Sequence, residues 1–194
     1  MSTVFISYRR TSTAGEARAL FNDLAARLGE NSVFMDVQSI ALGRDFRDVL
    51  QEVTASCDLM LVLIGLNWAD AKDERGRIRL EDPDDYVRLE IEAALKRNIP
   101  ITPVMVQGAH MPAPEQLPVE IRNLAYRSGF ELSHARWESD VREMIRRLDL
   151  HVPPGEIPSG NGRPRELLNS NFQRRRLIVL IARAGFIGST ALYF

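Results

Sequence analysis

Two glutamates two positions apart have unlike surroundings in the stretch Asp85-Tyr86-Val87-Arg88-Leu89-Glu90-Ile91-Glu92-Ala93-Ala94-Leu95. Glu92 has Arg88 four residues before it and Lys96 four after, the spacing of a solvated, charge-paired position on a helix. The helical neighbours of Glu90 are Tyr86, Val87, Ala93 and Ala94, a mostly apolar setting that disfavours ionisation and suits a carboxylate held in a dry cleft. On these residues alone a partly exposed surface glutamate remains the default reading, because such glutamates are common and the signal is one residue deep. Tyr86 stands one turn earlier on the same face.

Other residues with chemical potential follow short apolar runs: Tyr8-Arg9-Arg10, Asp36, Gly65 with Leu66, Asn67 and Trp68, and Gln107-Gly108. Familiar catalytic signatures are missing. No Gly-x-Gly-x-x-Gly follows the first run, so the backbone grip of a dinucleotide-binding turn is not available. The sequence also has no phosphate-binding Gly-rich loop ending in Lys-Ser or Lys-Thr, and no Gly-x-Ser-x-Gly elbow. A phosphoryl-accepting receiver domain would need acidic residues after the first strand and an Asp after the third, where this chain has Ser7-Tyr8-Arg9-Arg10 and Gly65.

The elements that must position these residues are legible as period. Apolar runs at Val4–Ser7, 32–35, Leu59–Ile64 and 101–106 are short enough to be buried strands. Helical stripes alternate with them: Ala17, Leu20, Phe21, Leu24 and Leu28; Phe46, Val49, Leu50 and Val53; Val87, Ile91, Ala94 and Leu95. A late helix carries Trp137, Val141, Met144, Ile145 and Leu148, and a weakly marked fifth strand is expected around 124–130. Alternation of this kind predicts an α/β fold, a doubly wound, flavodoxin-like parallel five-stranded sheet with helices on both faces. Ligands in such folds bind beyond the carboxyl ends of the strands, where the residues named above lie.

The chain has 194 residues, enough for one domain and an appendage. With 45% apolar and 26% charged residues and a formal net charge of −1, it lacks the basic excess of a nucleic-acid-binding protein. Cys57 is the only cysteine and His110, His134 and His151 are far apart, so neither a disulfide framework nor a metal site is expected. Cys57 itself reads as a small buried apolar residue before a strand. The N-terminus shows no secretion signal, which favours a cytoplasmic location.

A domain over 1–150 is followed by a flexible Pro- and Gly-rich linker over 151–176, ending in the basic cluster Arg174-Arg175-Arg176. The apolar tail at 177–194 is interrupted by Arg183 and lies at the lower limit for a membrane span, where a central Arg costs about 3 kcal/mol. A tail anchor that keeps the domain on the cytoplasmic side and a short amphipathic or disordered tail both stand as readings.

Val4-Phe5-Ile6-Ser7-Tyr8-Arg9-Arg10 closely resembles the first conserved box of TIR (Toll/interleukin-1 receptor) domains. Val33-Phe34-Met35-Asp36, then Ala41-Leu42-Gly43-Arg44-Asp45-Phe46, resembles that family's second strand and BB loop, with Leu42 where a proline often stands. Leu61-Val62-Leu63-Ile64-Gly65 fits its third strand, and the stretch from Asp85 to Leu95 is similar to the helix bearing the catalytic glutamate of NAD-cleaving TIR proteins, with Tyr86 where many relatives have Trp. The resemblance covers about residues 3–148 and is to TIR proteins of bacterial type.

The resemblance implies NAD hydrolysis with Glu90 as catalytic residue, in signalling or defence, activated by self-association through the BB loop residues Leu42, Gly43, Arg44, Asp45 and Phe46. NAD is then a substrate, and no cofactor is required. Tyr8, Arg9, Arg10, Asp36, Trp68 and Tyr86 are the substrate-binding candidates: arginines for the pyrophosphate, aromatic rings for stacking. For Arg9 and Arg10 a basic loop paired with Asp36 or Asp45 stands beside that reading, and for Trp68 a packing role. The alternative function is a non-catalytic interaction module that binds other TIR domains.

Overall fold

The computed structural model describes residues 3–35 and 45–150. Asp36, Leu42, Gly43, Arg44, the linker and the apolar tail lie outside the described residues, as does the side chain of Phe46.

Five parallel strands form one sheet: β1 (Val4–Ser7), β2 (Val33–Met35), β3 (Leu59–Ile64), β4 (Ile101–Met105) and β5 (Phe130–Glu131), in the order β2-β1-β3-β4-β5. Four helices connect or follow them: α1 (Arg10–Leu28), α2 (Phe46–Ala55), α3 (Tyr86–Lys96) and α4 (Trp137–Arg147). Every residue of β1 and β3 is buried, which is why their sequences are apolar without polar alternation up to Ser7, the polar last residue of β1. Because side chains alternate across a strand, Val4, Ile6, Leu59, Leu61 and Leu63 pack on one face with α1 and α4. Phe5, Met60, Val62 and Ile64 pack on the other with Val87, Ile91 and Ala94 of α3. Burial of Val87 and Ile91 contributes on the order of 1.5–3 kcal/mol each, and it fixes the rotation of the helix that carries Glu90.

The fifth strand differs from its expected position. Residues Arg122–Tyr126 form a 3₁₀ turn, and only Phe130 and Glu131 pair with Val104 and Met105. Leu124 is buried as an anchor of the turn, so its apolar character reports packing of a turn and not a strand. Gly129 then lets the chain close on β4, since a β-carbon there would lie 2.7 Å from Met105 Cε.

At the strand ends, α1 is kinked at Thr13 (φ −126°, ψ 24°), whose hydroxyl donates to Arg9 O at 3.2 Å. The Thr13 methyl would meet a β-carbon on Gly65 at 2.5 Å, and the Gln107 amide oxygen would meet it at 3.2 Å. Gln107 Nε2 in turn donates to Ser12 O at 3.0 Å and Glu16 Oε1 at 2.8 Å. Thr13 and Gln107 therefore crowd Gly65 at the ends of β1 and β3, where strand order reverses.

Candidate active site

Asp85 starts α3. Its extended backbone (φ −65°, ψ 123°) and its side chain, which accepts from Arg88 N–H at 3.1 Å, cap the helix. The same carboxylate accepts from Arg9 Nη1 at 3.0 Å and Nη2 at 3.3 Å, and lies 3.3 Å from Arg79 Nε. Arg9 also donates from Nε to Trp68 O at 3.3 Å, and its guanidinium lies 5.8 Å from the Trp68 ring centroid. Its nitrogens are thus spent on a buried brace between the end of β1 and the start of α3. The partner is Asp85; of the two partners expected from the sequence, Asp45 is not among the contacts of Arg9 and Asp36 lies outside the described residues.

One turn into α3, Glu90 is 7% exposed and accepts a 2.6 Å hydrogen bond from the hydroxyl of Ser7, the last residue of β1. Ser7 is itself buried, so strand and helix fix the carboxylate's orientation from both sides. Tyr86, four residues earlier, is 40% exposed. A cleft of about 330 Å³ opens above them, lined by Tyr8, Arg9, Arg10, Thr11, Arg79, Tyr86 and Glu90 with Ile6 and Val87. That volume is at the small end for ligand sites.

Glu90, Tyr8, Arg9, Arg10 and Tyr86 are therefore brought together, although Arg9 faces the cleft from a buried pair. Trp68 is not in the cleft; it is 1% exposed and packs in the core beneath Arg9. Asp45 is exposed at the start of α2. Glu92 pairs with Lys96 at 2.5 Å. Arg88 does not join it: drawn to the buried side, it donates to Leu80 O and Glu81 O at 3.1 Å each and to Glu120 at 2.9 Å.

Ser7, Asp85 and Arg79 were missed as site residues. Asp85 had a signal, an Asp directly before a helical period, which is the mark of an N-cap. Ser7 and Arg79 had none that sequence spacing reveals. A larger hollow of about 550 Å³ along α4 involves Arg142, Glu143 and Arg146. Their charges are satisfied locally, with Arg146 and Arg147 holding the Glu143 carboxyl down at about 2. Among the described residues no group of His, Cys, Asp and Glu is placed to hold a metal, and no helix is long and apolar enough to cross a membrane.

Curated relatives include NAD(+) hydrolase sarm1 of Drosophila melanogaster, 31% identical over 146 residues that make up 75% of this chain and 10% of that protein. NAD(+) hydrolase SARM1 of Danio rerio is 32% identical over 161 residues, 81% of this chain and 21% of that protein. The chain thus spans a tenth to a fifth of the length of these relatives.

Two solved structures share the fold. The TIR domains of the activated Roq1 resistosome that recognises the effector XopQ match with a TM-score of 0.56 at 15% identity, over 76% of this chain and 99% of that one. A prokaryotic SEFIR domain matches with a TM-score of 0.51 at 18% identity, over 85% and 99%. The TIR domain family model matches residues 4–145. With the β2-β1-β3-β4-β5 parallel sheet and a match running from the first strand to the last helix, this chain belongs to the TIR domain family.

Proposed function

We propose that this TIR domain hydrolyses NAD at the nicotinamide–ribose bond, with Glu90 as the catalytic residue, and that it acts in signalling or defence after self-association. The observation that carries the reading is the buried Glu90 carboxylate, held by the Ser7 hydroxyl at 2.6 Å on the floor of the cleft. The names of the two hydrolase relatives support it.

The chemistry asked of the residues is modest. Nicotinamide leaves as a neutral base from a positively charged ring, so no general acid is needed, and the barrier lies in the oxocarbenium-like ribosyl centre. A preorganised carboxylate stabilises that centre as it forms and orients a ribose hydroxyl. Tyr86 offers a half-exposed ring to pack against the nicotinamide or the ribose. Water, or an internal nucleophile of the ADP-ribosyl group, then takes the anomeric carbon.

The test is incubation of the full chain with NAD over a series of protein concentrations, with chromatography for nicotinamide and ADP-ribose. We expect nicotinamide release whose specific activity rises with protein concentration and is lost in Glu90→Gln. No release at any concentration would overturn the reading and leave the domain as a non-catalytic module that binds other TIR domains.

A further inference from the structure

Arg79 opens a 3₁₀ turn, Arg79–Glu81, at the edge of the cleft. The turn is held firmly. Arg79 N–H donates to Ala71 O at 2.8 Å, and Arg88 of α3 grips the carbonyls of Leu80 and Glu81 at 3.1 Å. The Arg79 side chain is anchored as well, with Nε 3.3 Å from Asp85 Oδ2. Asp85 is 2% exposed in its side chain and Arg79 is 32% exposed, so the pair runs from the interior out to the cleft.

At Asp85 itself the cations outnumber the anion. One carboxylate, Asp85, faces two guanidinium groups, those of Arg9 and Arg79. Arg9 is the inner of the two, and its nitrogens are committed to Asp85 and Trp68 O. Arg79 comes nearest to Asp85 at Nε, as an ion pair, and among the described residues its Nη1 and Nη2 groups donate no hydrogen bond to the protein. A guanidinium anchored at Nε presents its far edge as two parallel donors, the geometry that matches a phosphate or a carboxylate.

We propose that Arg79 is the residue that recognises the diphosphate of the substrate, a specificity determinant held in register by Asp85. The proposal rests on the NAD reading of the same cleft and moves the anion-binding role from Arg9 to a residue on a different loop. An anion on the far edge of Arg79 also relieves the repulsion between the two guanidiniums that share Asp85. Lysine could not replace it: a single ammonium cannot keep Asp85 and fork a phosphate at once.

The experiment measures binding of ADP-ribose by calorimetry to the full chain and to Arg79→Gln, Arg79→Lys and Glu92→Gln, with adenosine as the phosphate-free comparison and thermal unfolding as the control for folding. Arg79→Gln should weaken ADP-ribose binding at least about 10-fold, the effect of losing a charge-assisted hydrogen bond, and leave adenosine unchanged. Arg79→Lys should be folded and equally weak, whereas Glu92→Gln, outside the cleft and paired with Lys96, should bind as the parent does. In turnover, Arg79→Gln should raise KM for NAD by a similar factor with kcat within about 3-fold.

Unchanged ADP-ribose affinity in Arg79→Gln, full restoration by Arg79→Lys, or no binding by the parent at millimolar ligand would each overturn the proposal. The hydrolase reading fails separately: Arg79-dependent binding without nicotinamide release removes that reading and leaves the anion site in place.

Discussion

The hydroxyl of Ser7 and the carboxylate of Glu90 are eighty-three positions apart in the chain and 2.6 Å apart in space. The last residue of a central strand thus sets the orientation of a glutamate on the helix packed over it. Ser7→Ala removes the donor and leaves a buried carboxylate short of a hydrogen bond, at a cost of about 1–3 kcal/mol. Turnover should fall about 10-fold as the carboxylate loses its alignment. Parallel assays of nicotinamide release and thermal unfolding check this; parental behaviour in both would show that the contact orients nothing.

The two glutamates of α3 should respond in opposite ways. Glu90→Gln keeps shape but removes the charge that faces the ribosyl centre, so turnover should drop by at least the ~100-fold typical of losing one key electrostatic stabiliser, with the melting temperature held or slightly raised. Glu92 is paired with a largely exposed Lys96, so Glu92→Gln should lose only about a few tenths of a kcal/mol and keep turnover. Equal losses of activity in the two variants would sink the assignment of Glu90.

Asp85 separates charge from capping. Asparagine caps a helix about as well as aspartate, so in Asp85→Asn the start of α3 is kept while the buried Arg9 loses its counter-charge. Breaking a buried pair from one side costs about 3–5 kcal/mol. Urea unfolding should therefore show a loss of that order in Asp85→Asn. A change under about 1 kcal/mol would mean that the hydrogen-bond geometry, not the charge, makes the brace.

Cys57 supplies a pH-dependent test of packing. Burial pushes its thiol up to about 11 from an ordinary 9.0. With the folded value raised, the unfolded chain loses its proton first as pH climbs. The group's contribution to stability is therefore full below pH 9 and lost as pH rises through 11. Native protein at pH 8 should resist iodoacetamide until urea is added, and Cys57→Ala should flatten the decline in melting temperature between pH 9 and 11. Rapid alkylation of the native protein would contradict the burial.

The sequence shows some of this architecture better than the rest, for physical reasons. β1 and β3 are buried on both faces, so their apolar runs mark them, β3 end to end and β1 up to Ser7. α3 is equally plain, because Val87, Ile91 and Ala94 repeat at helical spacing on the buried side. The burial of Glu90 is less plain: its helical neighbours hint at it, but a partly exposed glutamate is the default, and the contact with Ser7 that encloses it comes from another element. β5 was misplaced because a buried Leu in a 3₁₀ turn and a buried residue in a short strand carry one local signal. The partners of Glu90 and Arg9 were invisible, since Ser7 to Glu90 and Arg9 to Asp85 are contacts made only when the sheet and α3 assemble. Arg88 shows the same limit: two carbonyls and Glu120 outcompeted its i,i+4 neighbour Glu92.

Gly65, Thr13 and Gln107 meet where strand order reverses, the place at which a doubly wound protein ordinarily binds its ligand. The neighbours of Gly65 there are a methyl group and an amide. Position 65 is thus confined to glycine, because one added carbon collides with Thr13, and variation there would be read out in the packing of α1 against β3 before it reached the cleft of Glu90 and Tyr86, which Gly65, Thr13 and Gln107 do not line.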